Sequence, residues 1–244
     1  MLSQNVNILT LYDYGPSGNC YKVRLLFSLL RIQCNRIDVD VRKGETRTEH
    51  FLNNISPNGR VPVVIIPSDY VHKLQNSSTT SKTPTTDSSS SLSNNNTPNE
   101  QQSTTLTESN AILTFFSDGT SLYPSNPIER AKIMQWLFWE QFSHEPNFSS
   151  LRFWITLLDK GDDPQYLDKI NERQIKGYEA LNVMENHLSK EDWLVANRFT
   201  IADIALYAYT HCAEEAGYSI DSFPKIRAWL RRVENMPGYV PIDD

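Results

Sequence analysis

The stretch Tyr14-Gly15-Pro16-Ser17-Gly18-Asn19-Cys20-Tyr21-Lys22-Val23-Arg24 decides how this chain is read. Ahead of it, Asn7-Ile8-Leu9-Thr10-Leu11-Tyr12 has the character of a β-strand. Behind it, Cys20, Val23, Phe27 and Leu30 recur at the three- and four-residue steps of one helix face. The stretch is therefore a strand-to-helix turn, and Ser17 falls at the positive end of the helix, where unpaired N–H groups and the helix dipole favour an anion. A serine there has two uses. It can cap the helix, or its hydroxyl can donate to a bound thiolate and lower the thiol pKa from its usual value of about 8.5.

Working outward, Arg36-Ile37-Asp38-Val39-Asp40 alternates as a second strand and residues 48–52 suit a short helix. Val61-Pro62-Val63-Val64-Ile65-Ile66 is a β-branched run, ordered patterning resumes at Leu106-Thr107-Glu108-Ser109, and residues 110–116 suit a third helix. The expected order is βαβαββα. Residues 73–105 are almost all Ser, Thr, Asn, Gln and Pro, with Leu74 and Leu92 as the only large apolar side chains. Such a segment cannot bury enough surface to offset its chain entropy. It is expected to be a disordered insertion in the turn of a hairpin, because loop-closure entropy grows slowly with length.

After Gly119 no strand-like alternation persists. Residues 120–126, with Pro124, form the expected linker, and residues 127–244 carry helical spacing throughout. One helix spans residues 130–142, and the stripe Ile175, Tyr178, Leu181, Met184 and Leu188 marks a second. A third covers residues 201–212. The last has Pro224 at its start, Gly238 past its end, and Ile226, Trp229, Leu230 and Val233 inward. The fold class is thus α/β plus all-α, with an N-terminal domain at 1–119 and a helical one at 127–244.

The bulk properties exclude some classes of function. The formal net charge of −6 gives no basic footprint for nucleic acid or anionic lipid. The three cysteines, Cys20, Cys34 and Cys212, are widely spaced without a C-x-x-C pair, which argues against a structural metal site and for a reducing compartment. No basic leader precedes an apolar run, and no stretch approaches about 18 uninterrupted apolar residues. The expectation is a cytoplasmic protein that neither crosses nor binds a membrane.

Four further motifs carry chemistry. Pro62, at the entrance to a strand, is compatible with a trans start or with a cis bond that would expose the Val61 backbone to an extended peptide. Glu108-Ser109-Asn110 lies where a strand gives way to a helix, so Ser109 can face a carboxylate while Glu108 meets an ammonium; it is equally an ordinary helix start. Thr200-Ile201-Ala202-Asp203 has capping-box spacing, a structural role. Trp136, Phe138, Trp139, Phe142, His144, Arg152, Phe153 and Trp154 crowd one helical region, where most aromatics are expected in the core. Among them Arg152 could steady an anion.

In this order the elements resemble the cytosolic glutathione transferase family over the whole chain outside the polar segment. The motifs that carry the resemblance are the strand followed by Ser17-Gly18-Asn19-Cys20, then Asn58-Gly59-Arg60-Val61-Pro62 with Glu108-Ser109, and Thr200-Ile201-Ala202-Asp203. The resemblance implies a thioredoxin-like N-terminal domain that holds glutathione as co-substrate, without a metal, and a helical domain that helps bind a small electrophile. It implies that Ser17 activates the thiol, with Tyr14 as second choice, and that Val61, before a cis Pro62, pairs with the cysteinyl backbone. It places Glu108 and Ser109 on the γ-glutamyl end and Arg60 and Asn58 near the glycyl end. The crowded aromatic region could line an apolar pocket opposite the thiol, with Trp139, His144 and Arg152 on the electrophile side, though His144 equally suits a capping or surface role. A homodimer is implied as well. Two departures stand out: the polar segment itself, and Ala196 where many relatives have glycine. Two other functions suit the same body. One is glutathione-dependent disulfide reduction, since Ser17-x-x-Cys20 looks like a C-x-x-C pair without its first thiol. The other is a non-catalytic binding or regulatory module.

Overall fold

The computed structural model describes residues 8–70 and 103–244. The expected insertion at 73–105 thus lies outside the described residues except for 103–105. By contact, the chain groups into two compact units, one formed by residues 1–13 and 33–107 and the other by residues 14–32 and 108–244.

The first unit holds a four-stranded sheet made of β1 (Leu9–Asp13), β2 (Cys34–Asp38), β3 (Val63–Ile66) and β4 (Thr104–Thr107), in the order β2-β1-β3-β4. β1 runs parallel to β2 and antiparallel to β3, and β4 is antiparallel to β3. In β1, Leu9, Leu11 and Asp13 are buried and alternate with half-buried Thr10 and Tyr12, the period-2 pattern of a sheet residue run. The β3–β4 pair is the expected hairpin, with Val63 opposite Thr107 and Ile66 opposite Thr104. Its second strand starts at Thr104, inside the stretch read as polar insertion. Threonine is β-branched and pairs through its backbone, so a reading that counts large apolar residues misses it.

The short helix α2 (Glu49–Asn54) is capped by Thr48, whose hydroxyl accepts from Phe51 N at 3.2 Å. This aims Phe51 into a core with Val39 and Val63, flanked by Tyr12, Ile37, Ile55 and Ile65. Tyr12 and Phe51 meet edge to face at 5.9 Å.

The second unit contains α1 (Gly18–Leu30), α3 (Ser109–Ser117) and α4 (Pro127–Trp139). From α4 the chain continues through a π-helical turn at Glu140–His144 into α5 (Glu145–Arg152), and then a second π-helical turn, Phe153–Leu157. Then follow α6 (Pro164–Leu188), α7 (Ile201–Thr210) and α8 (Pro224–Glu234). Every residue of α7 is buried, so the other helices pack around it. α1 approaches α7 closely enough that a Cβ at Gly18 would stand 2.6 Å from the Tyr209 ring, a distance only glycine permits. This packing explains why α1 and α3 group with the C-terminal helices.

Two expectations about exposure do not hold. Ile175 is 63% exposed although the stripe placed it inward, because the buried face of α6 runs through Ile170, Gly177, Leu181, Met184 and Leu188, and two residues before Gly177 is the opposite side of the helix. Phe138 and Phe142, expected in the core, are 69% and 87% exposed, since they lie across the helix from buried Leu137, Glu140 and His144. No helix among the described residues is long and apolar enough to cross a membrane.

Ala196 takes φ 54° and Asn197 φ 50°. A left-handed alanine costs roughly 1–2 kcal/mol, which accounts for glycine being the more usual choice there. The strained turn leads into the capping box of α7, which is formed as expected. Asp203 does more than cap. Its Oδ1 accepts from Leu194 N at 3.1 Å and Trp229 Nε1 at 2.9 Å, and its Oδ2 from Thr200 N at 2.9 Å. α8 is capped from a different helix, the Glu185 carboxylate of α6 accepting from Lys225 N at 3.0 Å and Ile226 N at 2.9 Å.

Burial pushes the Asp203 carboxyl up to about 6, against the donors that pull it down. An unfolded aspartate titrates near 3.9, so from about pH 4 to pH 6 the native state holds a proton that the unfolded state has lost. Linkage then makes this group's contribution to stability fall as pH rises through that window and level off above it. Asp203→Asn is expected to remove that slope. It should also cost about 1–3 kcal/mol for each buried donor left unpaired, as measured by urea unfolding at pH 4, 5, 6 and 7.

Candidate functional site

The turn before α1 puts Ser17 at the helix start with extended backbone, φ −75° and ψ 122°. Its Oγ accepts from Cys20 N at 3.3 Å, so the capping role is real. That bond uses a lone pair and leaves the hydroxyl hydrogen able to donate elsewhere. Ser17 is half-buried and its N–H donates to Tyr14 O at 2.8 Å. Tyr14 is buried. Cys20 is fully buried on the inner face of α1, and none of the three cysteines is in a disulfide.

One turn further along, a polar cluster is built into the same helix. Lys22 has no exposed surface and pairs with Glu140, equally buried, at 2.8 Å. Its Nζ also donates to Asn19 Oδ1 at 2.8 Å and lies 3.4 Å from Ser109 Oγ. The Ser109 hydroxyl donates to Asn19 Oδ1 at 3.1 Å, while Asn19 Nδ2 donates to Glu145 Oε1 at 2.9 Å. Asn110 Nδ2 completes Glu140, donating to Oε2 at 3.0 Å. Burial raises the Glu145 carboxyl above its usual range. The π-helical turn turns Glu140 inward, and such turns recur at functional sites.

Glu108 precedes α3 with φ 66° and ψ 112°, and its side chain is exposed. A non-glycine residue held at positive φ costs about 1–3 kcal/mol and persists where its surroundings impose it, often at a ligand site. The carboxylate therefore stands in solvent beside the first N–H groups of α3. Ser109 is buried, and its hydroxyl is already engaged by Asn19, so what it offers a ligand is its backbone N–H.

Of the three residues expected on the electrophile side, His144 and Arg152 are enclosed within the helical unit. His144 is inside the helical core, stacked on Phe148 at 4.1 Å with Nε2 3.0 Å from Thr210 Oγ1. Burial, and then the charge of Lys22, holds its imidazole down at about 3, so it is neutral and out of reach of a ligand. Arg152 is buried and its guanidinium is engaged by Glu215 at 2.8 Å and by Pro16 O. Trp139 is half-buried, edge-on to Trp136 at 5.2 Å.

Asn58, Arg60, Val61 and Pro62 belong to the first unit. The Val61–Pro62 bond is cis, one of the two possibilities the sequence left open. Asn58 and Arg60 are exposed, and the Asn58 carbonyl accepts from Arg47 Nη1 at 3.1 Å. Gly59 between them has φ 58°, and a Cβ there would meet Thr46 O at 2.8 Å. This fixes the turn that leads to Val61.

Asn19, Lys22 and Glu140 were not singled out from the sequence. The signals were a lysine between apolar Tyr21 and Val23, and an acid closing the apolar run Trp136-Leu137-Phe138-Trp139.

Residues 151–237 match the family described as glutathione S-transferase, C-terminal domain. The fold is similar to the crystal structure of a glutathione S-transferase from Pseudomonas fluorescens. That protein is 36% identical, with 97% of this chain and 100% of that chain aligned and a TM-score of 0.79. A curated relative, disulfide-bond oxidoreductase YfcG of Escherichia coli, is 25% identical over 92% of this chain and 90% of its own length. A second Pseudomonas fluorescens structure is of a glutathione transferase family member with two glutathione bound. It shares the fold at 22% identity and a TM-score of 0.71, over 97% and 92% of the two chains.

Removing one member of a buried ion pair leaves the other uncompensated, at about 3–5 kcal/mol. Lys22→Met is therefore expected to lower the urea midpoint by that equivalent, and adding Glu140→Leu should recover part of the loss. Equal midpoints for Lys22→Met and wild type would contradict the role given to this pair.

Proposed function

The chain belongs to the glutathione S-transferase family, and on that premise we propose that it binds glutathione, holds its thiol as thiolate with Ser17, and transfers it to a small electrophile. The observation that carries this reading is the half-buried Ser17 hydroxyl, whose hydrogen is still able to donate at the start of α1. The thiol proton leaves to solvent. The sulfur then forms a bond to an electrophilic carbon as the leaving group departs, and Ser17 acts as donor rather than covalent nucleophile. In this reading the Val61 backbone pairs with the cysteinyl unit. The exposed Glu108 carboxylate meets the γ-glutamyl ammonium, the Ser109 N–H meets the γ-glutamyl carboxylate, and Asn58 and Arg60 serve the glycyl end.

A second reading takes a disulfide sulfur as the electrophile. It is favoured by the name of the Escherichia coli relative and by the burial of Cys20, which puts a protein thiol out of reach. A glutathione thiolate would attack one sulfur and expel the other as thiolate, and a second glutathione would resolve the mixed disulfide to glutathione disulfide. Retained reductase activity in Cys20→Ser would support this route, and its complete loss would oppose it.

We also propose a homodimer in the cytoplasm. Ile128, Phe138 and Phe142 are large apolar side chains left mostly exposed on α4 and the turn after it, and apolar surface grouped on one element is covered when a partner packs on it. Light scattering at micromolar concentration is expected to give twice the 28.0 kDa chain mass, and Phe142→Ser with Phe138→Ser should move it toward the monomer.

A charge-assisted hydrogen bond contributes about 1.5–3 kcal/mol, or roughly 1–2 pKa units. Ser17→Ala should leave glutathione bound while the bound thiol titrates higher by that amount. The glutathione-dependent rate at pH 6.5 should fall roughly 10- to 100-fold, with recovery at higher pH. A lost cap alone would lower the melting temperature without moving the titration. Superimposable thiolate absorbance curves for wild type and Ser17→Ala would end the activation reading.

A further inference from the structure

Two buried guanidinium groups take two successive carbonyls in the turn just ahead of Ser17. Arg24 donates from Nη2 to Gly15 O at 2.8 Å and to Ile242 O at 2.7 Å. Arg152 donates from Nη1 to Pro16 O while its Nε holds the Glu215 carboxylate at 2.8 Å. Each arginine is 6% exposed. A buried cation is costly unless acceptors are fixed around it, and here one acceptor of each arginine is a carbonyl of the turn, beside Ile242 O for Arg24 and the Glu215 carboxylate for Arg152.

The geometry bears directly on Ser17. The Pro16 carbonyl and the Ser17 N–H belong to one peptide plane. Arg152 holds its oxygen end, and the 2.8 Å bond from Ser17 N to Tyr14 O holds its nitrogen end. The preceding peptide is held through Gly15 O by Arg24. Nothing lies within 4 Å of where a Gly15 Cβ would stand, so no neighbour packs on that side of the residue. Helix capping does not need either arginine, because the Ser17 side chain already serves Cys20 N.

Arg24 is braced from its other side. Ser28 Oγ donates to Gly238 O at 2.7 Å and Tyr21 Oη to Val240 O at 2.7 Å. Residues 21, 24 and 28 share one face of α1. They grip the segment 238–242 as a strap, and the Arg24 link to Ile242 O is its third point.

We propose that Arg24 and Arg152 are positioning residues for Ser17, clamping the Gly15–Pro16 turn so that the Ser17 hydroxyl is held where a ligand thiolate accepts its hydrogen bond. The inference rests on the reading of Ser17 as thiol donor, and it assigns Arg152 to the turn in place of the electrophile pocket. Groups that act through one another are non-additive, and this gives the clamp a signature that lost stability alone does not produce.

The test compares full-length Arg24→Gln, Arg152→Gln and Ser17→Ala, and each arginine variant combined with Ser17→Ala. The readouts are the pH midpoint of bound-glutathione thiolate absorbance and the pH–rate profile. Each arginine variant should move the midpoint upward, with a rate loss at pH 6.5 of about tenfold, one pKa unit's worth. KM for glutathione should change less than about threefold, and the lysine variants should restore part of the loss. On the Ser17→Ala background the same substitutions should add less than about twofold. Unmoved midpoints, or losses that multiply in full with that of Ser17→Ala, would overturn the clamp. Where a glutamine variant does not fold, Tyr21→Phe with Ser28→Ala loosens the strap and leaves both arginines in place. Hydrogen exchange at the Ser17 amide should then quicken about tenfold, and unchanged exchange would overturn the proposal. If Ser17→Ala itself leaves the titration unmoved, the activation reading falls. The Ser17 amide exchange in Arg152→Lys then decides the clamp alone, faster exchange supporting it and unchanged exchange overturning it.

Discussion

Two full charges without any exposed surface stand 2.8 Å apart in Lys22 and Glu140, and the arrangement of the helical unit follows from the need to satisfy them. Neither charge can be taken from water without several close partners. Asn19, Ser109 and Asn110 provide those partners, drawn from the first turn of α1 and the first turn of α3. Asn19 and Ser109 are held by Glu145 and by each other, and Asn110 Nδ2 is shared between Glu140 and Leu137 O while its Oδ1 is left without a partner among the described residues, so the starts of two helices and the π-helical turn after α4 are fixed relative to one another. A network of this kind stabilises through the members that are paired.

That constraint reaches the chemistry through Asn19 and Ser109. Both belong to motifs that the proposed reading assigns to glutathione, yet both turn their side chains toward the buried lysine. In that reading what is left to meet glutathione from the helical unit is sparse: the Ser17 hydroxyl, the Glu108 carboxylate and the backbone N–H groups of two helix starts. A sparse set of fixed donors suits electrostatic stabilisation of an anionic sulfur, because donors already in place need no reorganisation when charge develops. Arg24 and Arg152 extend the same logic to the turn backbone.

The helical unit also has places where local preference is overruled. Ala196 is held left-handed so that the capping box of α7 can form. Gly18 lets α1 lie against Tyr209. Phe138 and Phe142 remain exposed on a helix whose other face is filled. The first two trade backbone freedom for close packing around a wholly buried α7, and the third leaves an apolar surface that the helical unit by itself does not cover.

Much of this was legible in the residues. Strand and helix order, the β3–β4 hairpin, the Thr48 and Thr200 helix starts and the inward set Ile226, Trp229, Leu230 and Val233 all follow from periodicity and capping, which are local properties. Ser17 at the head of α1 and Glu108 before α3 were legible for the same reason. Tertiary structure decided the rest. A helical face drawn through Cys20, Val23 and Phe27 leaves Lys22 and Arg24 on its polar side, whereas α1 is buried almost all round, with acceptors from residues 118 and 218 positions away in sequence. His144 was legible as a titratable side chain, but its place in the core depends on a π-helical turn that no residue pattern announces. Whether a charged side chain faces water or a buried partner is set by what packs against it, and sequence spacing carries only the part of that information which lies within one element.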